Sequence, residues 1–178
     1  MAEPAATLLI VYDSQAIRET VSILGLDPHY RIAEIDSPGD LAGTLAELQP
    51  DLVLLCAMTR DTSAFESCRA VKEASGGAFL PVVIYHLQPT AAEQEKAVAA
   101  GADDIVRVTI AADELLVRIR SLLRVRTIVA EAVRRSQALA RASAEAADLV
   151  LQVEEANRKI NEQNEALERL VQELRQRD

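Results

Sequence analysis

Every strong breaker of regular structure in this 178-residue chain stands at or before position 101. The prolines (Pro4, Pro28, Pro38, Pro50, Pro81, Pro89) and the glycines (Gly25, Gly39, Gly43, Gly76, Gly77, Gly101) all lie there, and Ala111 to Asp178 holds neither. Proline removes a backbone donor and glycine gives up the most chain entropy, so the front half is punctuated while the back half is free to run as one helix. At 1.5 Å per residue, an unbroken helix of that length extends on the order of 100 Å. The division predicts one globular head and one long helical extension.

Short apolar runs alternate with amphipathic stretches in the front half. Leu8 to Tyr12, Tyr30 to Ile35, Leu52 to Cys56, Val82 to His86 and Asp104 to Val108 read as strands. Gln15 to Leu26, Pro38 to Leu48, Ala64 to Ala74 and Ala91 to Ala100 read as helices. Strand then helix, repeated, predicts a five-stranded parallel sheet covered on both faces. The near-continuous apolar runs Leu8 to Val11, Leu52 to Leu55 and Val82 to Ile84 fit central strands with no solvent face. Ligands and chemistry in such sheets gather outside the carboxyl ends of the strands. Those ends carry Tyr12 and Asp13, Cys56, His86 and Val108.

The apolar residues of the back half keep a strict spacing of three and four. One seam row takes Leu122, Val129, Ser136, Ser143, Val150, Asn157, Asn164 and Val171; the other takes Val125, Ala132, Leu139, Ala146, Val153, Ile160, Leu167 and Leu174. Such a repeat held in phase predicts a coiled coil, with Val129, Leu139, Val150, Val153, Asn157, Ile160, Asn164, Leu167, Val171 and Leu174 as its dimer seam. An asparagine at an inward position pairs with its twin in a parallel two-stranded coil and fixes register, so Asn157 and Asn164 favour a parallel homodimer. A helix folding back on itself needs a turn, and Ser136 to Ala147 contains no breaker. Ile128, Leu149 and Leu170 widen the stripe and leave a higher oligomer or a further docked helix open.

Charge removes several functional classes. A formal net charge of -9 opposes sequence-independent binding to nucleic acid or to an anionic membrane. From Thr127 onward acidic residues outnumber basic ones, so the helix lacks the basic fork of a DNA-binding zipper. Arg118, Arg120, Arg124 and Arg126 make a local positive patch, read as the solvated face of the head's last helix. No stretch reaches the roughly 18 apolar residues a membrane span needs. Met1 to Thr7 has neither a basic start nor a long apolar run, so Cys56 and Cys68 are expected as reduced thiols in a cytoplasm. No glycine-rich phosphate loop, nucleophilic triad signature or paired-cysteine zinc spacing is present, and no cofactor is expected.

The order of elements, with the segments Leu8-Leu9-Ile10-Val11-Tyr12-Asp13, Gln49-Pro50-Asp51-Leu52-Val53-Leu54-Leu55 and Ala99-Ala100-Gly101-Ala102-Asp103-Asp104, resembles the receiver domain of bacterial two-component response regulators. The resemblance covers roughly Ala6 to Arg124 and implies a flavodoxin-like, doubly wound α/β fold over residues 1–124, with the coil in 125–178. In that family two acidic residues at the end of the first strand hold magnesium, and an aspartate ending the third accepts a phosphoryl group. A threonine or serine ends the fourth strand, and a lysine followed by proline ends the fifth. Here the acidic pair is Tyr12 and Asp13, the acceptor is Cys56, the hydroxyl is His86, and the lysine and proline are Val108 and Thr109. The aromatic switch position is Ile105, and the proline and glycine after the acceptor are Arg60 and Ala64.

These replacements remove the means of phosphoryl transfer. That chemistry needs a divalent cation and a fixed positive charge on the developing oxygens. Asp13 alone is a poor magnesium site, Val108 carries no charge, and Cys56 cannot form an acyl phosphate. The expectation is a pseudo-receiver that acts by protein contact, not as an enzyme, through a coiled-coil homodimer and a further signalling partner. Two alternatives accompany it: a regulatory front end of a larger enzyme such as a histidine kinase or diguanylate cyclase, and a metal or redox sensor if Asp13, Cys56 and His86 converge. Against the sensor stands a reading in which Cys56 is a small buried hydrophobe and His86 is satisfied by a neighbour. Asp103 and Asp104 are expected to be structural, and Cys68 a packing residue.

Overall fold

The computed structural model describes residues 6–12, 29–36, 39–57 and 63–175, without the side chain of residue 174. The strands are β1 (Ala6–Tyr12), β2 (Tyr30–Ile35), β3 (Leu52–Ala57), β4 (Val82–His86) and β5 (Asp104–Arg107). The helices are α1 (Leu41–Leu48), α2 (Ser63–Ala74), α3 (Ala91–Ala99) and α4 (Ala112–Arg175). The expected helix Gln15 to Leu26 lies outside the described residues, as do Asp13 and Arg60. The chain divides into two compact units, Met1–Glu131 and Ala132–Asp178.

All five strands run parallel in the order β2-β1-β3-β4-β5. The fold is the expected α/β receiver architecture followed by a long helix. β1, β3 and β4 occupy the middle of the sheet, and residues 8–12, 52–57 and 82–86 are buried throughout. Alternate residues of these strands feed two separate cores. Leu9, Val11, Val53, Leu55, Val82 and Ile84 pack with Leu41, Phe65, Val71 and Ala97 from α1, α2 and α3. Leu8, Ile10, Leu54, Cys56, Val83 and Tyr85 pack with Leu115 and Ile119 from α4.

Local polar chemistry sets several boundaries. α1 begins at Leu41, three residues later than Pro38, because the Asp40 carboxylate accepts the Gly43 N–H at 2.9 Å and so caps the first turn. α3 opens on a capping box in which the Glu93 N–H donates to Thr90 Oγ1 and the Thr90 N–H donates to Glu93 Oε2. β1 starts two residues before its apolar run, since Ala6 and Thr7 pair with Tyr30 and Arg31 on β2.

Carboxylates stitch the strand entrances. The Asp51 N–H donates to the Thr7 carbonyl and the Thr7 N–H donates back to Asp51 Oδ2, both at 2.7 Å. Arg126 on α4 donates to the other Asp51 oxygen. Asp103 Oδ2 accepts from the Val82 N–H at 2.7 Å and from Lys72 Nζ at 2.6 Å, joining α2, β4 and the start of β5. The structural role expected for Asp103 and Asp104 is visible here, with Arg118 donating to Asp104 at 2.9 Å. Arg118 and Arg126 of the positive patch are tied to carboxylates. Among the described residues, no helix is long and apolar enough to cross a membrane.

Replacing Asp103 with alanine leaves the Val82 N–H and the Lys72 ammonium without their shared acceptor. The expected cost is about 1–3 kcal/mol of unfolding free energy, read as a lower urea midpoint at unchanged slope.

Candidate functional site

The carboxyl ends of β1, β3, β4 and β5 form the mouth of the sheet. Register places Tyr12 beside Cys56, Cys56 beside Tyr85, and His86 beside Ala57. Tyr12 and Cys56 are each 3% exposed. A cavity of about 20 Å³ lies against them, lined also by Ser63, Ala64 and Ser67. That volume holds roughly one water molecule.

Cys56 and His86 do not converge. Side chains alternate across a strand, so Cys56 joins Tyr85 in the core under α4 while His86 turns to the other face. There its Nδ1 accepts the Gln88 N–H at 3.2 Å and its Nε2 stands 3.8 Å from Glu93 on α3. Ile105 packs on the same side as His86, and Val108 packs on the side of Cys56. Among the described residues, no three of His, Cys, Asp and Glu stand close enough to hold a metal ion. For the metal-sensor alternative, the sheet stands between Cys56 and His86, and its third ligand, Asp13, lies outside the described residues.

Among the described residues, two hydrogen bonds join β4 to the residue after β5 at the mouth. The Tyr85 hydroxyl donates to the Val108 carbonyl at 2.9 Å, and the Val108 N–H donates to the His86 carbonyl at 2.9 Å. Burial pushes the Tyr85 phenol pKa up, and the neighbouring Cys56 pushes it in the same direction. Val108, half-buried, supplies an acceptor through its main chain and no cation through its side chain.

No family model matches the sequence. The chain is 27% identical over 124 residues to the transcriptional regulatory protein GltR of Pseudomonas aeruginosa, covering 70% of this chain and 51% of the relative. It is 30% identical over 117 residues to the response regulator MprA of Mycobacterium sp. (strain KMS), covering 66% of this chain and 50% of the relative. The BeF3-activated receiver domain of Klebsiella pneumoniae RstA superposes with a TM-score of 0.58 at 23% identity, over 66% of this chain and 98% of that one. The globular part is a response-regulator receiver domain. The chain spans about half the length of the curated relatives it matches.

In this receiver domain a further cavity lies at the opposite end of the sheet. It measures about 520 Å³ and is lined by Tyr30, Asp51, Arg120, Leu123, Arg124 and Thr127, among others. The Asp51–Arg126 pair borders it, a contact that joins positions 75 residues apart and leaves no local pattern in the sequence.

The expected seam residues of the coil fall on α4. Leu139, Val150, Val153, Ile160, Leu167 and Val171 are all exposed, as are Asn157 and Asn164, while Val129 is half-buried. The side chain of Leu174 lies outside the described residues.

Cys68 is fully buried on α2, and its thiol donates to the Ala100 carbonyl at 3.4 Å, which fits the packing role expected for it. Burial pushes this thiol from 9.0 to about 11. At pH 8 the thiolate fraction is then roughly one in a thousand rather than one in ten. Folded protein should leave Cys68 unmodified by iodoacetamide at pH 8, and denaturant should release it, as peptide mass spectrometry can check. Because the folded pKa is raised, stability from the neutral thiol is complete below pH 9 and declines as pH rises toward 11.

Proposed function

We propose that this receiver domain relays signals without accepting a phosphoryl group, by protein contact, as a coiled-coil homodimer. The observation that carries the reading is the buried thiol of Cys56 at the position that the resemblance gives to the acceptor. Phosphoryl transfer needs a carboxylate to attack, a cation and a fixed positive charge. Tyr12, Cys56 and Val108 supply none of these.

The head then acts through its surface, and α4 sets the pairing of two heads. Exposed Leu139, Val150, Val153, Ile160, Leu167 and Val171 repeat at the spacing that a second helix covers. Burying one such side chain is worth about 1.5–3 kcal/mol, so the stripe is ample to hold a dimer. The domain division that goes with this reading is a head over residues 1–124 and a pairing helix over 125–178. A net charge of -9 favours a protein partner over nucleic acid or an anionic membrane, and the two cysteines without a disulfide fit a cytoplasmic protein. No catalytic activity is assigned to the chain.

Incubation with acetyl phosphate and magnesium is expected to give no adduct by intact-protein mass spectrometry. A stable, magnesium-dependent phosphoryl adduct on the head overturns the proposal. Sedimentation equilibrium is expected to return a dimer, and Val153→Asp together with Leu167→Asp to return a monomer with the head still folded by circular dichroism.

A further inference from the structure

Three rows of α4, not two, share one side of the helix. Over the second unit the first row is Ser136, Ser143, Val150, Asn157, Asn164 and Val171. The second is Ala132, Leu139, Ala146, Val153, Ile160 and Leu167. A third row, one position before the first, is Arg135, Ala142, Leu149, Ala156, Gln163 and Leu170. The second row has no polar member. Four of the six residues in the first row are polar, against two of six in the third, Arg135 and Gln163. Leu149 and Leu170 are 60% and 56% exposed, as open as Val150 at 57% and Val171 at 45%.

Four polar contacts between Asp148 and Arg169 stay clear of all three rows. Gln152 donates to Asp148 at 2.7 Å, Lys159 pairs with Glu155 at 2.8 Å, Arg169 with Glu165 at 3.3 Å, and Arg158 with Glu162 at 4.0 Å. None of these eight residues belongs to the first, second or third row. They lace the opposite side and leave three apolar-bearing rows for association.

A two-stranded coil buries two adjacent rows, one spaced three and one spaced four from the other. The second row satisfies that spacing with the first and equally with the third. Pairing the second with the first is specified by Asn157 and Asn164, which bond their twins at a cost in stability. Pairing the second with the third buries Leu149, Ala156 and Leu170 and leaves both asparagines in water. One arrangement has better polar specification and the other more apolar area, so neither excludes the other by a wide margin. Because neighbouring positions differ by 100° around a helix of 3.6 residues per turn, exchanging the first row for the third turns each helix by about 50°.

We infer that α4 carries two alternative self-association seams for a second copy of this chain, sharing the row Leu139, Val153, Ile160, Leu167 and interconverted by axial rotation of the paired helices. The inference rests on the parallel homodimer proposed above. It supplies a two-state element whose balance a bound partner can shift, provided that the partner favours one seam.

The test is oxidative cross-linking of the full chain carrying Leu149→Cys, Val150→Cys or Val153→Cys, one at a time. The unsubstituted chain serves as control, since Cys56 and Cys68 are buried. Residues facing their own twin in a parallel seam cross-link fast, so Leu149→Cys and Val150→Cys are both expected within roughly threefold of Val153→Cys. Making the first row apolar with Asn157→Val and Asn164→Val should then slow the Leu149→Cys product by about tenfold and leave Val150→Cys unchanged. A bias of about tenfold between the two in the unlocked chain, in either direction, means a single seam and overturns the inference while the dimer stands. Equal rates that ignore the locking substitutions also overturn it. A dimer by sedimentation with no cross-link at any of the three positions excludes the parallel pairing it needs. A monomer by sedimentation removes the homodimer itself.

Discussion

Three adjacent strands without a solvent face are the constraint on which the rest of this molecule depends. Leu8, Leu9 and Ile10, Leu52 to Leu55, and Val82 to Ile84 are all buried, so side chains on both faces of β1, β3 and β4 must be covered. One face is closed by α1, α2 and α3 and the other by the first turns of α4. Backbone polar groups of such a sheet are paired along its length and lose that order only at strand ends. Functional variation is therefore confined to the two ends of the sheet, and the two ends differ. The entrance is held by carboxylates, with Asp51 and Asp103 taking backbone N–H groups and basic side chains. At the mouth, among the described residues, an aromatic hydroxyl and main-chain bonds join β4 to the residues after β5.

A cluster of carboxylates around a cation is costly to desolvate, and it persists where the ion and a phosphoryl group repay the cost. Cys56 carries no such cost, because a neutral thiol packs as a small apolar group. On the proposed reading, any change of state comes from what the head touches or from the pairing of its long helix.

Much of the fold was legible from patterning. β2 and β4 have the bounds their apolar runs predict, and β3 and α2 each extend one residue beyond. The misses have local causes. Asp40 delays α1 by capping it, and strand pairing with β2 carries β1 back to Ala6, where side-chain pattern gives no signal. The site was half legible. Cys56, His86 and Val108 do stand at the strand ends, but which of them face one another was not legible. Cys56 and His86 fall on opposite sides of the sheet because register sets Cys56 beside Tyr85 rather than beside His86. A shift of one residue between neighbouring strands inverts every facing relation, and a linear sequence does not record it.

Residue type alone determined that the third strand carries a thiol near its end, that position 108 carries no charge, and that a breaker-free heptad run follows the head. These depend on the chemistry of single positions and on local periodicity, both written along the chain. Tertiary structure decided which of those positions meet. It brought Asp51 to Arg126 across 75 residues, closed Val108 onto Tyr85, and parted Cys56 from His86. Such outcomes follow from strand order and register, which are properties of the whole sheet. The same single residues, placed on the other face of their strands, would have built a different site.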